Sequence, residues 1–148
     1  MRISAKGRYA FAALTEIAWQ TRRGEVVSVV TISDKLGISK VFLEQTVAAL
    51  KKGGIIQSTK GAKGGYQLAR DARLITALDV LSVLENTLLE RADSTVSELA
   101  PGIEAALRDK LFDKLDRAIV NCLSDVTIQD LLEYAEAQNN DQAFMLYL

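Results

Sequence analysis

The sequence predicts a mainly α-helical chain that carries one small β-hairpin. Apolar residues recur at spacings of three and four through most of the chain. One glycine-centred stretch, IIQSTKGAKGGYQL from Ile55 to Leu68, interrupts that pattern. Serine and threonine stand where helices of that spacing would need caps. The 148 residues are 49% hydrophobic and 25% charged, with a mean hydropathy of +0.09, the composition of a folded chain with one domain or two small ones.

The first helix is expected over Lys6 to Arg22, where Ala10, Ala13, Leu14, Ile17 and Ala18 share a face and Ser4 can cap the start. Arg23-Gly24-Glu25 then interrupts it. Thr31 with Asp34 three residues on predicts a capping box opening a short helix that ends near Leu36. Gly37 can take the left-handed conformation that ends it, and Ser39 can cap the next helix. In that helix Leu43, Val47 and Leu50 form the apolar stripe, while Val41, Glu44, Gln45, Ala48 and Lys52 lie on another face. Two helices joined through a tight glycine turn make a helix-turn-helix pattern.

Gly53-Gly54 stops the second of these helices. Ile55 to Ser58 and Tyr66 to Leu68 then pair as a hairpin with residues 60–65 as its tip. A hairpin placed after a helix-turn-helix is a wing, and Lys60 and Lys63 put two positive charges on it. Thr76 with Asp79 opens another helix through Leu84. After Pro101 the longest helix is expected from Gly102 to Leu123, with Ile103, Leu107, Leu111, Leu115 and Ile119 stepping by four. Little chain remains to cover that stripe, which suggests a partner subunit. Thr127 and Asp130 cap a final helix, TIQDLLEYAEA, before the apolar ending FMLYL. Tyr9 and Trp19 are expected in the core, Phe42 either there or beside a ligand.

Charge divides the chain. Residues 1–73 hold 13 lysines and arginines against 5 acids, a net +8, and residues 74–148 hold 5 against 14, a net −9. The basic half has the electrostatic footprint of a polyanion partner. Enzyme chemistry is disfavoured: the chain has no histidine and one cysteine, Cys122, and it lacks a phosphate-binding loop and any metal-ligand spacing. One cysteine also excludes an internal disulfide and an all-cysteine metal site. No run approaches the roughly 20 apolar residues of a membrane span. MRISAKGRYA has no apolar secretion segment, so a cytoplasmic protein without membrane contact is expected.

MRISAKGRYA, ISKVFLEQ, KKGGIIQS leading into KGAKGGYQL, and TIQDLLEY together resemble the Rrf2-type transcription regulators, a family with iron–sulfur and cysteine-metabolism branches. The resemblance covers nearly the whole chain and is strongest from Met1 to Leu68. It implies a winged helix-turn-helix domain over 1–73, a helical dimerisation or regulatory region over 74–148, and a homodimer joined through the long helix. It places Ser39, Lys40, Phe42, Glu44 and Gln45 of the recognition segment near double-stranded DNA. Lys60, Gly61, Gly64, Gly65 and Tyr66 would serve in the wing, and Arg2 and Lys6 would lie near phosphates.

With charge considered, Arg2, Lys6, Lys40, Lys51, Lys52, Lys60 and Lys63 become the phosphate contacts. Gln45 and Glu44 become the base readers, since glutamine can pair with adenine and glutamate can accept from cytosine. Two departures from the family pattern stand out. The wing begins with Lys60 where many members have arginine, which loses a planar fork for reading the groove. The three cysteines of cluster-binding members are missing from Glu85 to Ala106, so a cluster-free chain near the CymR branch, with no metal or other cofactor, is expected. The resemblance thus implies a palindrome-reading transcriptional repressor of sulfur or cysteine metabolism genes, with an unidentified effector. The alternatives are a winged helix that docks only proteins, or a redox or iron–sulfur sensor of the same family.

Overall fold

The computed structural model describes residues 3–147. Helix α1, Ala5–Thr21, is the centre of the molecule. Its Ala10, Ala13, Leu14, Ile17 and Ala18 are all buried, and the small alanines let neighbouring elements approach its axis closely. Ser4 caps it, accepting from the Gly7 N–H at 3.0 Å, and also donates through backbone and hydroxyl to Glu85 at the end of α4. Helix α2 is Val29–Leu36 and α3 is Lys40–Lys52. Gly37 joins them at φ +66°, the left-handed conformation expected there, and Ser39 accepts from the Phe42 N–H at 3.1 Å.

The start of α2 corrects the expectation. Its cap is Ser28, whose hydroxyl accepts from the Thr31 N–H, so Thr31 lies in the first turn and Thr31–Asp34 is not a capping box. The reason lies outside the helix. Val27 pairs with Tyr66 through two backbone hydrogen bonds of 2.9 and 2.7 Å, which holds the chain extended up to Ser28 and frees it to turn there.

Strands β1, Ile56–Thr59, and β2, Gly65–Leu68, form an antiparallel hairpin with Ile56 opposite Leu68 and Thr59 opposite Gly65. Strand β1 lies one residue later than the sequence predicts, and β2 begins one residue earlier but ends at the expected Leu68. Ile55 is fully committed before the strand begins: its N–H donates to Leu50 and its carbonyl accepts from Ala69.

A short 3-10 turn, Ala72–Leu74, leads to α4, Ala77–Leu84. Thr76 and Asp79 open α4 as expected, through a reciprocal capping box, and Thr127 and Asp130 do the same at the start of α7, Ile128–Leu146. The long helix runs from Pro101 to Ser124 in three parts: α5, Pro101–Leu107; a π-helical segment, Arg108–Phe112; and α6, Asp113–Ser124. The sequence by itself predicts one regular α-helix here. A four-residue step overruns a 3.6-residue turn by about 40°, so a stripe stepping by four winds around a regular helix. In the π segment the Asp113 N–H reaches back five residues to Arg108, a wider turn that takes up part of that overrun.

The core is shared between the two charge halves. Ile75, Val80, Ile128 and Leu132 of the acidic half pack in the same cluster as Leu14, Ile17, Leu43 and Leu50 of the basic half. A second, smaller cluster joins Ala77 and Leu81 of α4 to Leu123 of α6, with Ile119 packed against it. The charge boundary at 73/74 is therefore not a packing boundary. Among the described residues no helix is long and apolar enough to cross a membrane.

Candidate nucleic-acid interface

Helix α3 turns Leu43, Thr46, Val47 and Leu50 into the core, and the period of 3.6 then presents Val41, Gln45, Ala48 and Lys52 as the opposite ridge. All four are exposed, as are Lys40, Glu44 and Lys51 on its flank. Lys40 and Glu44 stand one turn apart with Nζ 3.8 Å from Oε1. That loose, solvated pair contributes little to stability and leaves both groups available. Lys51 and Lys52 occupy the last turn, where the helix dipole favours cations.

Phe42 is half-buried. Its ring meets that of Tyr9 edge-on at 5.2 Å and 81°, a preferred aromatic geometry that ties α3 to α1. Ser39 is the cap of α3, and Lys6 lies half-buried in the first turn of α1. Arg2 lies outside the described residues.

Lys60, Gly61 and Lys63 are exposed in the turn of the hairpin. Gly61 has φ +108°, which a side chain would resist. Gly64, Gly65 and Tyr66 serve the hairpin itself. A Cβ on Gly64 would lie 2.2 Å from the Thr59 carbonyl oxygen, and one on Gly65 would lie 2.6 Å from that of Val27. Tyr66 carries the bridge to Val27 and packs its half-buried side chain against the core. These three residues keep the tip narrow and hold it to the body of the domain. From α3 through the hairpin tip the chain carries five lysines and one acid, Glu44.

Two corrections concern aromatic residues. Tyr9 is 42% exposed and Trp19 37% exposed, so neither is a core residue as the sequence reading expected. Both sit on α1 outside the row of small buried residues that occupies its packed face. Val41 joins the exposed ridge although the sequence does not single it out as a site residue. Val41 is 68% exposed beside Gln45, and an apolar side chain there can meet a thymine methyl group. The signal was present in the sequence as a β-branched apolar residue on the polar face.

The proposed dimer stripe is split. Ile103, Leu111 and Leu115 are more than half exposed, whereas Leu107 is half-buried and Ile119 turns toward α4 of its own chain. Nearby, the buried Glu104 side chain accepts from the backbone N–H of Val96 at 2.8 Å and of Thr95 at 2.9 Å, which organises the loop before α5. Those amides, helped by Arg108, hold its carboxyl below the ordinary range.

A family model described as an iron-dependent transcriptional regulator, Rrf2, matches residues 3–134. The transcriptional regulator IscR of Yersinia enterocolitica is 35% identical over 150 residues, covering 95% of this chain and 88% of that protein. IscR of Serratia proteamaculans is 34% identical with the same coverage. Among solved structures, CymR, the global cysteine regulator of B. subtilis, superposes with a TM-score of 0.74 at 29% identity, covering 90% of this chain and 98% of that one. IscR of T. potens gives 0.70 at 34% identity, covering 93% and 91%.

The family description names iron, and the residues of this chain can be compared with what a cluster needs. Cys122 is exposed on α6, the chain has no second cysteine and no histidine, and no group of three or more candidate ligands converges among the described residues. These residues do not fit a thiolate-held cluster.

Proposed function

The chain belongs to the Rrf2 family of transcriptional regulators, and from that premise we propose how it engages DNA. It is a DNA-binding transcription regulator with a winged helix-turn-helix fold. In our reading it acts in the cytoplasm as a homodimer on a palindromic operator and represses by occupying that site. Residues 1–73 contact DNA and residues 74–148 join the subunits. The exposed ridge of α3 carries this reading: Gln45, with Glu44 and Val41, faces base edges in the major groove. Ser39, Lys40, Lys51 and Lys52 border it, and Lys6, Lys60 and Lys63 add phosphate contacts.

The half-exposed Ile103, Leu111 and Leu115 support dimerisation through the long helix, because an isolated chain would leave that apolar surface in water. The likeness to CymR and the absence of cluster cysteines support genes of sulfur or cysteine metabolism as targets. No enzymatic activity is proposed. A protein-docking module would not need a lysine-tipped hairpin.

The test is selection of genomic fragments by the purified protein, followed by sedimentation alone and with the recovered site. Recovery of an inverted repeat bound by two subunits is the expected result. Leu111→Glu with Leu115→Glu, both at exposed positions, should yield a folded monomer that loses most operator affinity, since the half-sites no longer share one protein. Fragments without an inverted repeat, or a double variant that stays dimeric, would overturn the proposal.

A further inference from the structure

A cleft of about 490 Å³ opens between α1, α2 and α7, away from the exposed ridge of α3. Thr15, Glu16 and Trp19 of α1, with Arg22 at its C-terminal cap, form one wall. Leu132, Ala135 and Glu136 of α7 form the other, with Asn139 and Asn140 at one end and Lys35 of α2 also reaching in. Its size falls in the range of small-molecule sites, and it combines an aromatic and apolar floor with a few polar groups.

The charges are unevenly satisfied. Arg22 and Glu136 neutralise each other across the cleft at 2.7 Å. Lys35 has no ion pair among the described residues; its ammonium stands 5.7 Å from the centre of the Trp19 ring, over which the already paired Arg22 guanidinium also lies, at 4.9 Å. Glu16 likewise has no cation among the described residues and accepts only the neutral Gln20 amide, at 2.9 Å. The cleft thus offers one uncompensated cation and one uncompensated carboxylate around an indole, complementary to a small molecule carrying both charges.

We propose that this cleft binds a dipolar ligand of the α-amino-acid class, with the ligand carboxylate on Lys35, its ammonium on Glu16 and its side chain against Trp19 and Leu132. A ligand so placed touches the first helix of the helix-turn-helix and α7 at once. Neither Lys35 nor Glu16 belongs to the proposed DNA surface.

Trp19 is the one tryptophan in the chain, so its emission reports the cleft directly and without DNA. The full-length protein is titrated with L-leucine, L-serine, L-methionine and L-phenylalanine, and then with isocaproate and isoamylamine, which are leucine lacking its ammonium and its carboxylate respectively. The expected result is a saturable change with at least one amino acid. Leucine should bind more tightly than either analogue by about tenfold or more, the scale of one lost charged hydrogen bond. Glu16→Gln should weaken leucine and spare isocaproate, whereas Lys35→Met should weaken both; a merely structural defect would not separate the two ligands. Absence of any change with all four amino acids, or isocaproate binding as tightly as leucine, would overturn the proposal. Either failure leaves the DNA reading untouched.

Discussion

Thr76 and Thr127 face each other in an antiparallel bridge, so the caps of α4 and α7 are paired side by side. The Ala77 N–H donates to Val126 at 2.8 Å and the Ile128 N–H donates to Ile75 at 2.9 Å. Each threonine also accepts from the N–H of the aspartate three residues on, at 3.1 Å, while that aspartate accepts from the threonine N–H at 2.9 Å. Residues some fifty positions apart thereby begin two helices side by side, next in the chain to the buried Ile75 and Ile128.

Loss of either cap hydroxyl should destabilise the fold measurably. Thr76→Ala and Thr127→Ala should each cost about 0.5–2 kcal/mol. Because the caps share a bridge, the double variant should depart from additivity by about 0.5 kcal/mol or more. Urea unfolding of the four proteins checks this, and strict additivity would mean the two helix starts are independent.

Two glycine substitutions should have opposite signs. Gly65→Ala drives a Cβ into the Val27 carbonyl and should cost about 1–3 kcal/mol while weakening DNA binding through a displaced hairpin. A Cβ on Gly102, near the start of α5, meets nothing within 4 Å. Gly102→Ala should therefore stabilise by up to about 1 kcal/mol. Thermal melts of both variants decide it.

Phosphate and base contacts should separate in a salt titration. Lys51→Ala, Lys52→Ala and Lys60→Ala should each weaken operator and random DNA alike. Each should also flatten the slope of log K against log salt by about 0.9 per lost contact, or about twice that for a symmetric dimer. Gln45→Ala should cost about 1–3 kcal/mol per half-site on the operator with the slope nearly unchanged. If Gln45→Ala behaves as the lysine variants do, the exposed ridge of α3 does not read bases. If Lys60→Ala weakens the operator more than random DNA, that lysine reads groove shape.

Acid should remove the contribution of Glu104. The Val96 and Thr95 amides, with Arg108 adding to them, hold its carboxyl below the ordinary glutamate range in the folded chain. Its stabilisation is thus complete above the range of a free glutamate and is lost as pH falls through the lowered folded value. Glu104→Gln should lower Tm at neutral pH, and its difference from the unsubstituted protein should shrink on acidification. A difference independent of pH would show that Glu104 acts by packing alone.

What the sequence determined by itself was local. Ser4, Gly37, Ser39, Thr76 and Thr127 begin or end their helices as expected because each acts on backbone within a few residues. The buried stripe of α3 and its exposed ridge follow from helical period alone, so the candidate DNA surface on α3 is legible in the sequence. Tertiary structure decided what depends on distant chain. The Val27–Tyr66 bridge moved the start of α2 back to Ser28, and the close neighbours of Gly64 and Gly65 made them hairpin residues. It also sent Ile119 to α4 and Leu132 into the main core while leaving Leu111 and Leu115 exposed. Periodicity identifies a row of side chains that must leave water, but every apolar surface satisfies that demand equally. Which surface covers the row depends on how the helices pack in three dimensions.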